Sequence, residues 1–67
     1  MTIELNGEPI ELPEAATVAA AVEQTGAASV RGVAVAVDGE VVPHSEWEMT
    51  SLRDGQRVEV VGAIQGG

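Results

Sequence analysis

The sequence predicts a small α+β domain, and three observations carry that expectation. Two alternating apolar segments fold back at Asn6-Gly7 and Asp38-Gly39, a short amphipathic helical stretch lies between them, and a final alternating segment covers residues 57–61. Two hairpins separated by one helix, whose apolar stripe must be covered by a sheet, define a two-layer α+β arrangement. At 67 residues there is room for one domain and only a marginal core.

Each element has a local reason. Residues 2–6 alternate with Ile3 and Leu5 on one face, Asn-Gly is the strongest short hairpin signal, and residues 8–12 resume the alternation with Ile10 and Leu12. Pro9 has no N–H and so suits an edge strand, which Pro13 then ends. Thr17 serves as N-cap of a helix in which Val18, Ala21, Val22 and Thr25 recur at i, i+3, i+4 and i+7, with Gly26 as its C′ stop. A helix this short is marginal alone, so Val18, Ala21 and Val22 must pack against the sheet.

Residues 27–32 form a small-residue connection. Val33, Val35 and Val37 then alternate with Ala34 and Ala36, Asp38-Gly39 turns, and residues 40–42 return to Pro43. The valines are expected to face the core and the alanines a thinly covered sheet face. Residues 45–52 read as irregular or as a short helical turn, with Trp47 over the edge of the core. Asp54-Gly55 turns into the last strand, with Val58 and Val60 inward and Glu59 outward. Periodicity does not give the strand order. Residues 1–62 are read as the folded domain and 63–67 as a flexible tail.

Composition narrows the classes. Hydrophobic residues make up 45% of the chain, nearly all aliphatic, which is a globular composition rather than a disordered one. With no Cys there is neither a disulfide nor a thiolate metal site, so packed aliphatics must hold the fold. Eleven acidic residues against three basic ones, all arginine, give a net charge of −8. That argues against nucleic acid or an anionic membrane surface as partner and fits a basic or neutral protein surface better. With neither a signal-peptide pattern nor an apolar run approaching the ~18 residues of a membrane span, a soluble cytoplasmic protein, monomeric when free, is expected.

The sequence ends on Gln65-Gly66-Gly67. Two consecutive glycines, having no Cβ, let the backbone lie extended in a channel too narrow for side chains, so the α-carboxylate becomes the candidate functional group. Other constellations have plainer readings. His44 beside Ser45 lacks a nucleophile elbow and adjacent side chains rarely face each other, so a solvent-exposed loop histidine is expected. Glu46 and Glu48 read as solvated surface, and no metal is expected. The three Asx-Gly pairs are turns rather than phosphate loops, since no glycine-rich run is followed by Lys and a hydroxyl residue; no cofactor is assigned to the chain. Trp47, the sole aromatic, reads as packing.

The segment 32–43, followed by Ser45-Glu46-Trp47, Leu52, Asp54-Gly55, residues 57–61 and Ala63-Ile64-Gln65-Gly66-Gly67, closely resembles the ThiS family, the ubiquitin-like sulfur carriers of thiamin thiazole biosynthesis. The likeness spans essentially the whole chain and is densest from Gly32 onward. It implies a β-grasp fold: a mixed sheet of four to five strands around one helix, the last strand beside the first, and a flexible C-terminus. The family often has Asn where this chain has Asp38, and commonly a basic residue in place of His44.

The resemblance also implies a chemistry. A free α-carboxylate titrates at about 3.3 to 3.7 and is a poor electrophile at neutral pH. In the family's route a ThiF-type enzyme uses ATP to adenylate the terminal residue, here Gly67. A sulfur donor system displaces AMP to leave a thiocarboxylate, and a ThiG-type thiazole synthase consumes the sulfur. Lacking Cys, this chain has no thiol through which to relay a persulfide. Residues 63–67, extended, reach roughly 16 to 17 Å at about 3.3 Å each. Ordering them costs about 1 to 2 kcal/mol per residue, so the body should supply a docking surface. Ala34, Ala36 and Val61 on the sheet face, and Ile64, Gln65 and Gly66 in the tail, are the candidates. On this reading the protein is a cosubstrate and not an enzyme. Rival readings are the MoaD-like small subunit of molybdopterin synthase, which co-purification with a large subunit would favour; a ubiquitin-like modifier, which slower-migrating conjugates would favour; and a plain β-grasp interaction module.

Overall fold

The computed structural model describes residues 1–26 and 32–62. β1 (Thr2–Leu5) and β2 (Glu8–Glu11) pair antiparallel, from Thr2 opposite Glu11 to Leu5 opposite Glu8. Their turn has φ 51° at Asn6 and 87° at Gly7, the doubly left-handed loop whose twist matches the flanking strands. Alternation sends Ile3 and Leu5 to the core, both buried. Pro9 lies on β2, an edge of the sheet, where its missing N–H costs no ladder bond.

α1 (Val18–Gln24) begins at Thr17, whose side chain accepts from the Ala20 amide at 3.4 Å, and it stops before Gly26 at φ 76°. Val18, Ala21 and Val22 are fully buried, as their spacing requires. Thr25, expected on the same stripe, is instead exposed: it is the C-cap, and its hydroxyl donates back to the Val22 carbonyl at 2.6 Å. An isolated antiparallel bridge joins Thr17 to Ser51, with the Val18 amide donating to Thr50 O at 2.9 Å and the Leu52 amide to Ala16 O at 2.8 Å. The helix start is thereby tied to the segment that leads into the last strand.

β3 (Val33–Val37) and β4 (Glu40–Val42) form the second hairpin, again through φ 51° and 87°, at Asp38 and Gly39. β5 (Arg57–Gly62) runs between the hairpins. It is antiparallel to β3, from Val33 opposite Gly62 to Val37 opposite Val58, and parallel to β1 at Glu4–Arg57 and Leu5–Val58. The order is β2-β1-β5-β3-β4, a mixed five-stranded sheet that sets the last strand beside the first.

Among the described residues one α-helix covers one face of this sheet. The core joins Ile3, Leu5, Val35 and Val58 of the sheet to Val18, Ala21 and Val22 of the helix, closed by Leu12, Trp47 and Leu52. Burying Val58 completely stabilises by about 1.5 to 3 kcal/mol. Residues 44–46 make a single 3-10 turn, and Trp47 just after it is a core member rather than a cover over its edge. Its indole N–H donates to Val42 O at 3.0 Å, which satisfies the one polar atom that burial would otherwise strand. No helix among the described residues is long and apolar enough to cross a membrane.

Candidate functional site

The face of the sheet turned away from α1 is where the strand pattern leaves apolar side chains uncovered. Ala34 sits opposite Val61, and Ala36 opposite Val41, all on that outer face. Ala34 is exposed and Ala36 half-buried; Val61 is 59% exposed and Val41 75%. The three sheet residues singled out from the sequence are therefore brought together, with Val41 as a fourth. Val61 lies one residue before the end of β5, so the patch occupies the corner of the sheet nearest the C-terminal end of that strand.

The remainder of the outer face is polar. Glu59 stands across from Ala36, and Thr2, Glu4, Pro9, Glu11 and Arg57 complete it. Arg57 Nε lies 3.6 Å from Glu4 Oε2 with both side chains well exposed, a pair worth little to stability. One half of the face is thus ordinary solvated surface and the other a small apolar corner bordered by an acid.

Val41 follows from the register of the second hairpin. A two-residue turn at 38–39 forces residue 40 opposite 37 and 41 opposite 36, so Val41 must share a face with Ala36.

Two side chains at the turns act on β5 itself. The Val60 amide donates to Asn6 Oδ1 at 2.8 Å; the Arg57 amide donates to Asp38 Oδ1 at 3.0 Å and Gln56 Nε2 to Asp38 Oδ2 at 3.1 Å. The Arg57 backbone bond, followed by the Gln56 bond and the nearby Arg57 charge, holds the Asp38 carboxyl below its ordinary value.

His44 is exposed and places its ring edge-on to Trp47, centroids 4.4 Å apart at 66°. The exposure is as expected from the sequence; the ring contact with Trp47 was not foreseen. Among the described residues no group of three or more His, Cys, Asp or Glu side chains could hold a metal ion. Ile64, Gln65, Gly66 and Gly67, the tail residues singled out from the sequence, lie outside the described residues, as does the connection over 27–31.

A mixed five-stranded sheet in this order, wrapped on one helix with the last strand parallel to the first, is the ubiquitin-like β-grasp architecture. The ThiS family model matches residues 3–67, and the chain belongs to that family. A crystal structure of thiamine biosynthesis protein ThiS from Geobacter metallireducens superimposes with a TM-score of 0.80 at 28% identity, the whole of both chains being covered. A solution structure of a thiamine biosynthesis protein from the same organism gives 0.78 at 28% identity, over all of this chain and 88% of the other. No curated protein matches the sequence.

Proposed function

We propose that this protein is a sulfur carrier of thiamin biosynthesis, working in the cytoplasm as a cosubstrate of other enzymes. The carrying observation is the family match over residues 3–67, which runs through both terminal glycines. A ThiF-type enzyme is the first partner. The Gly67 carboxylate attacks the α-phosphorus of ATP, pyrophosphate leaves, and the acyl group becomes a mixed anhydride with AMP. A sulfur nucleophile then adds to the Gly67 carbonyl and AMP departs with the electron pair of the broken C–O bond, leaving a thiocarboxylate. A ThiG-type thiazole synthase takes the sulfur. The chain contributes no catalytic group; ATP is bound by the activating partner.

The chain's own part is to present the acyl group and to be recognised. Gly66 and Gly67 fit a channel without side-chain pockets, while Ile64 and Gln65 supply contacts at its mouth. The apolar corner of Ala34, Ala36, Val41 and Val61 supports docking of the body, because an uncovered apolar patch beside polar surface is a common mark of an interface. The net charge of −8 favours a basic border on the partner and accelerates encounter at low salt.

Intact-mass measurement tests the reading. After incubation with ATP, a sulfide source and a ThiF-type enzyme, the protein should gain the mass difference between sulfur and oxygen, and deletion of Gly67 should abolish the gain. An unchanged mass under all conditions would overturn the carrier assignment.

A further inference from the structure

β5 is held unevenly along its length. Over its first two residues it is flanked by β1 on one side, and on the other by Asp38 at Arg57 and by β3 from Val58 onward. Beyond Val58, β1 has already turned away at Asn6, φ 51°, while β3 continues to pair as far as Gly62. The β1 side of residues 59–62 would therefore lack a partner. Among the described residues one contact fills it: the Val60 amide donates to Asn6 Oδ1 at 2.8 Å.

The geometry explains why a side chain does this. Along the parallel pair the Glu4 amide donates to Gln56 O and the Asn6 amide to Val58 O, both at 2.9 Å. In a continued parallel ladder the next bond would run from the Val60 amide to the backbone carbonyl of residue 6. The left-handed turn at Asn6 ends the strand there, and the side-chain carbonyl takes the place of the backbone one. Asn combines tolerance of positive φ with an acceptor of the right length. The bond extends the ladder by one rung at the end of β5 that carries Val61 and leads on to the tail.

Resting on the carrier reading above, we infer that Asn6 is a positioning residue for acyl activation. It fixes the last turn-side rung of β5, so that Val61 and the strand end reach the activating enzyme already ordered. It touches no reacting atom. Without the bond, ordering of the strand end falls on the binding step, which is a loss of uniform binding: the Michaelis constant for the carrier rises and the turnover number stays.

Asn6→Gly removes the acceptor at a position whose φ glycine adopts freely, and Asn6→Asp keeps both the acceptor and the tolerance of φ. With a ThiF-type enzyme and ATP, adenylation is followed by pyrophosphate release at varied carrier concentration, and Val60 amide exchange is followed by NMR. Asn6→Gly should speed Val60 exchange and raise KM about three- to tenfold, the worth of one net hydrogen bond, with kcat within about twofold of the parent. Asn6→Asp should restore both quantities. A folded Asn6→Gly protein with the parent KM, a fall in kcat in place of a rise in KM, or failure of Asn6→Asp to restore either quantity overturns the assignment while leaving the carrier reading intact. A parent protein that releases no pyrophosphate brings down both.

Discussion

The two hairpins share one backbone turn and differ in almost everything around it. Asn6-Gly7 and Asp38-Gly39 have the same pair of positive φ values, and each first residue reaches across to a β5 amide. Asp38 grips the start of β5 at Arg57 from the β3 side, and Asn6 grips its end at Val60 from the β1 side. Their outer faces diverge. The first hairpin shows Thr2, Glu4, Pro9 and Glu11 to solvent; the second shows Ala34, Ala36 and Val41. Among the described residues the outer face of the second hairpin is thus the apolar one, and it is the surface proposed above for docking.

Core truncation should break this comparison most sharply. Ile3 on the inner face of the first hairpin is 1% exposed, whereas Val42 on the edge strand of the second is only half-buried. Ile3→Ala should cost about 2 to 5 kcal/mol, enough to unfold a domain this small, and Val42→Ala about 1 kcal/mol. Urea denaturation measures both, and equal midpoints would mean that the half-buried edge position bears on stability as much as the buried one.

A smaller and symmetrical effect is expected at the second turn residues. Gly7 and Gly39 both have φ 87°, and nothing lies within 4 Å of where a Cβ would stand. Substitution therefore meets strain without a clash. Gly7→Val and Gly39→Val should each destabilise by about 1 to 3 kcal/mol, and by similar amounts. Thermal melting of the pair sharpens the comparison: a large inequality would mean that the hairpins depend on their turns to different degrees.

Much of this was legible because the signals are local. Asn6-Gly7, Asp38-Gly39, the Thr17 cap, the Gly26 stop and the valine-alanine alternation each fix their own neighbourhood, and the structure places them as their chemistry requires. What was not legible from periodicity is non-local. The parallel pairing of β1 with β5 and the Thr17–Ser51 bridge join residues far apart in the chain, and no repeat of apolar positions encodes such a choice; only the family resemblance supplied the strand order. Trp47 was placed too far out because a lone aromatic in an irregular stretch has no period to orient it, and its buried indole depends on one carbonyl, that of Val42. At the candidate site, Ala34, Ala36 and Val61 came from alternation, while Val41 needed register across a turn and the roles of Asn6 and Asp38 on β5 needed the third dimension.

The finest difference between the hairpins is the charge of one turn side chain. Asp38 titrates below its ordinary value of 3.8, chiefly because the carboxylate accepts the Arg57 amide and also the Gln56 amide group. A carboxyl with a depressed folded-state pKa adds stability that is fully present above the unfolded value and is lost as pH falls through the folded one. Asp38 should therefore weaken the fold from about pH 4 downward, while Asn6, making the equivalent bond with a neutral amide, should not. Asp38→Asn keeps an acceptor for the Arg57 amide and tolerates the same φ, so its melting temperature should fall less than the parent's between about pH 4 and pH 2. Asn6→Asp introduces a titrating acceptor facing Val60, and the double exchange should move the acid-sensitive grip from the start of β5 to its end. If Asp38→Asn and the parent lose stability in parallel over that range, the two turns are equivalent in charge as well as in shape, and acid must act on this fold through its other carboxylates.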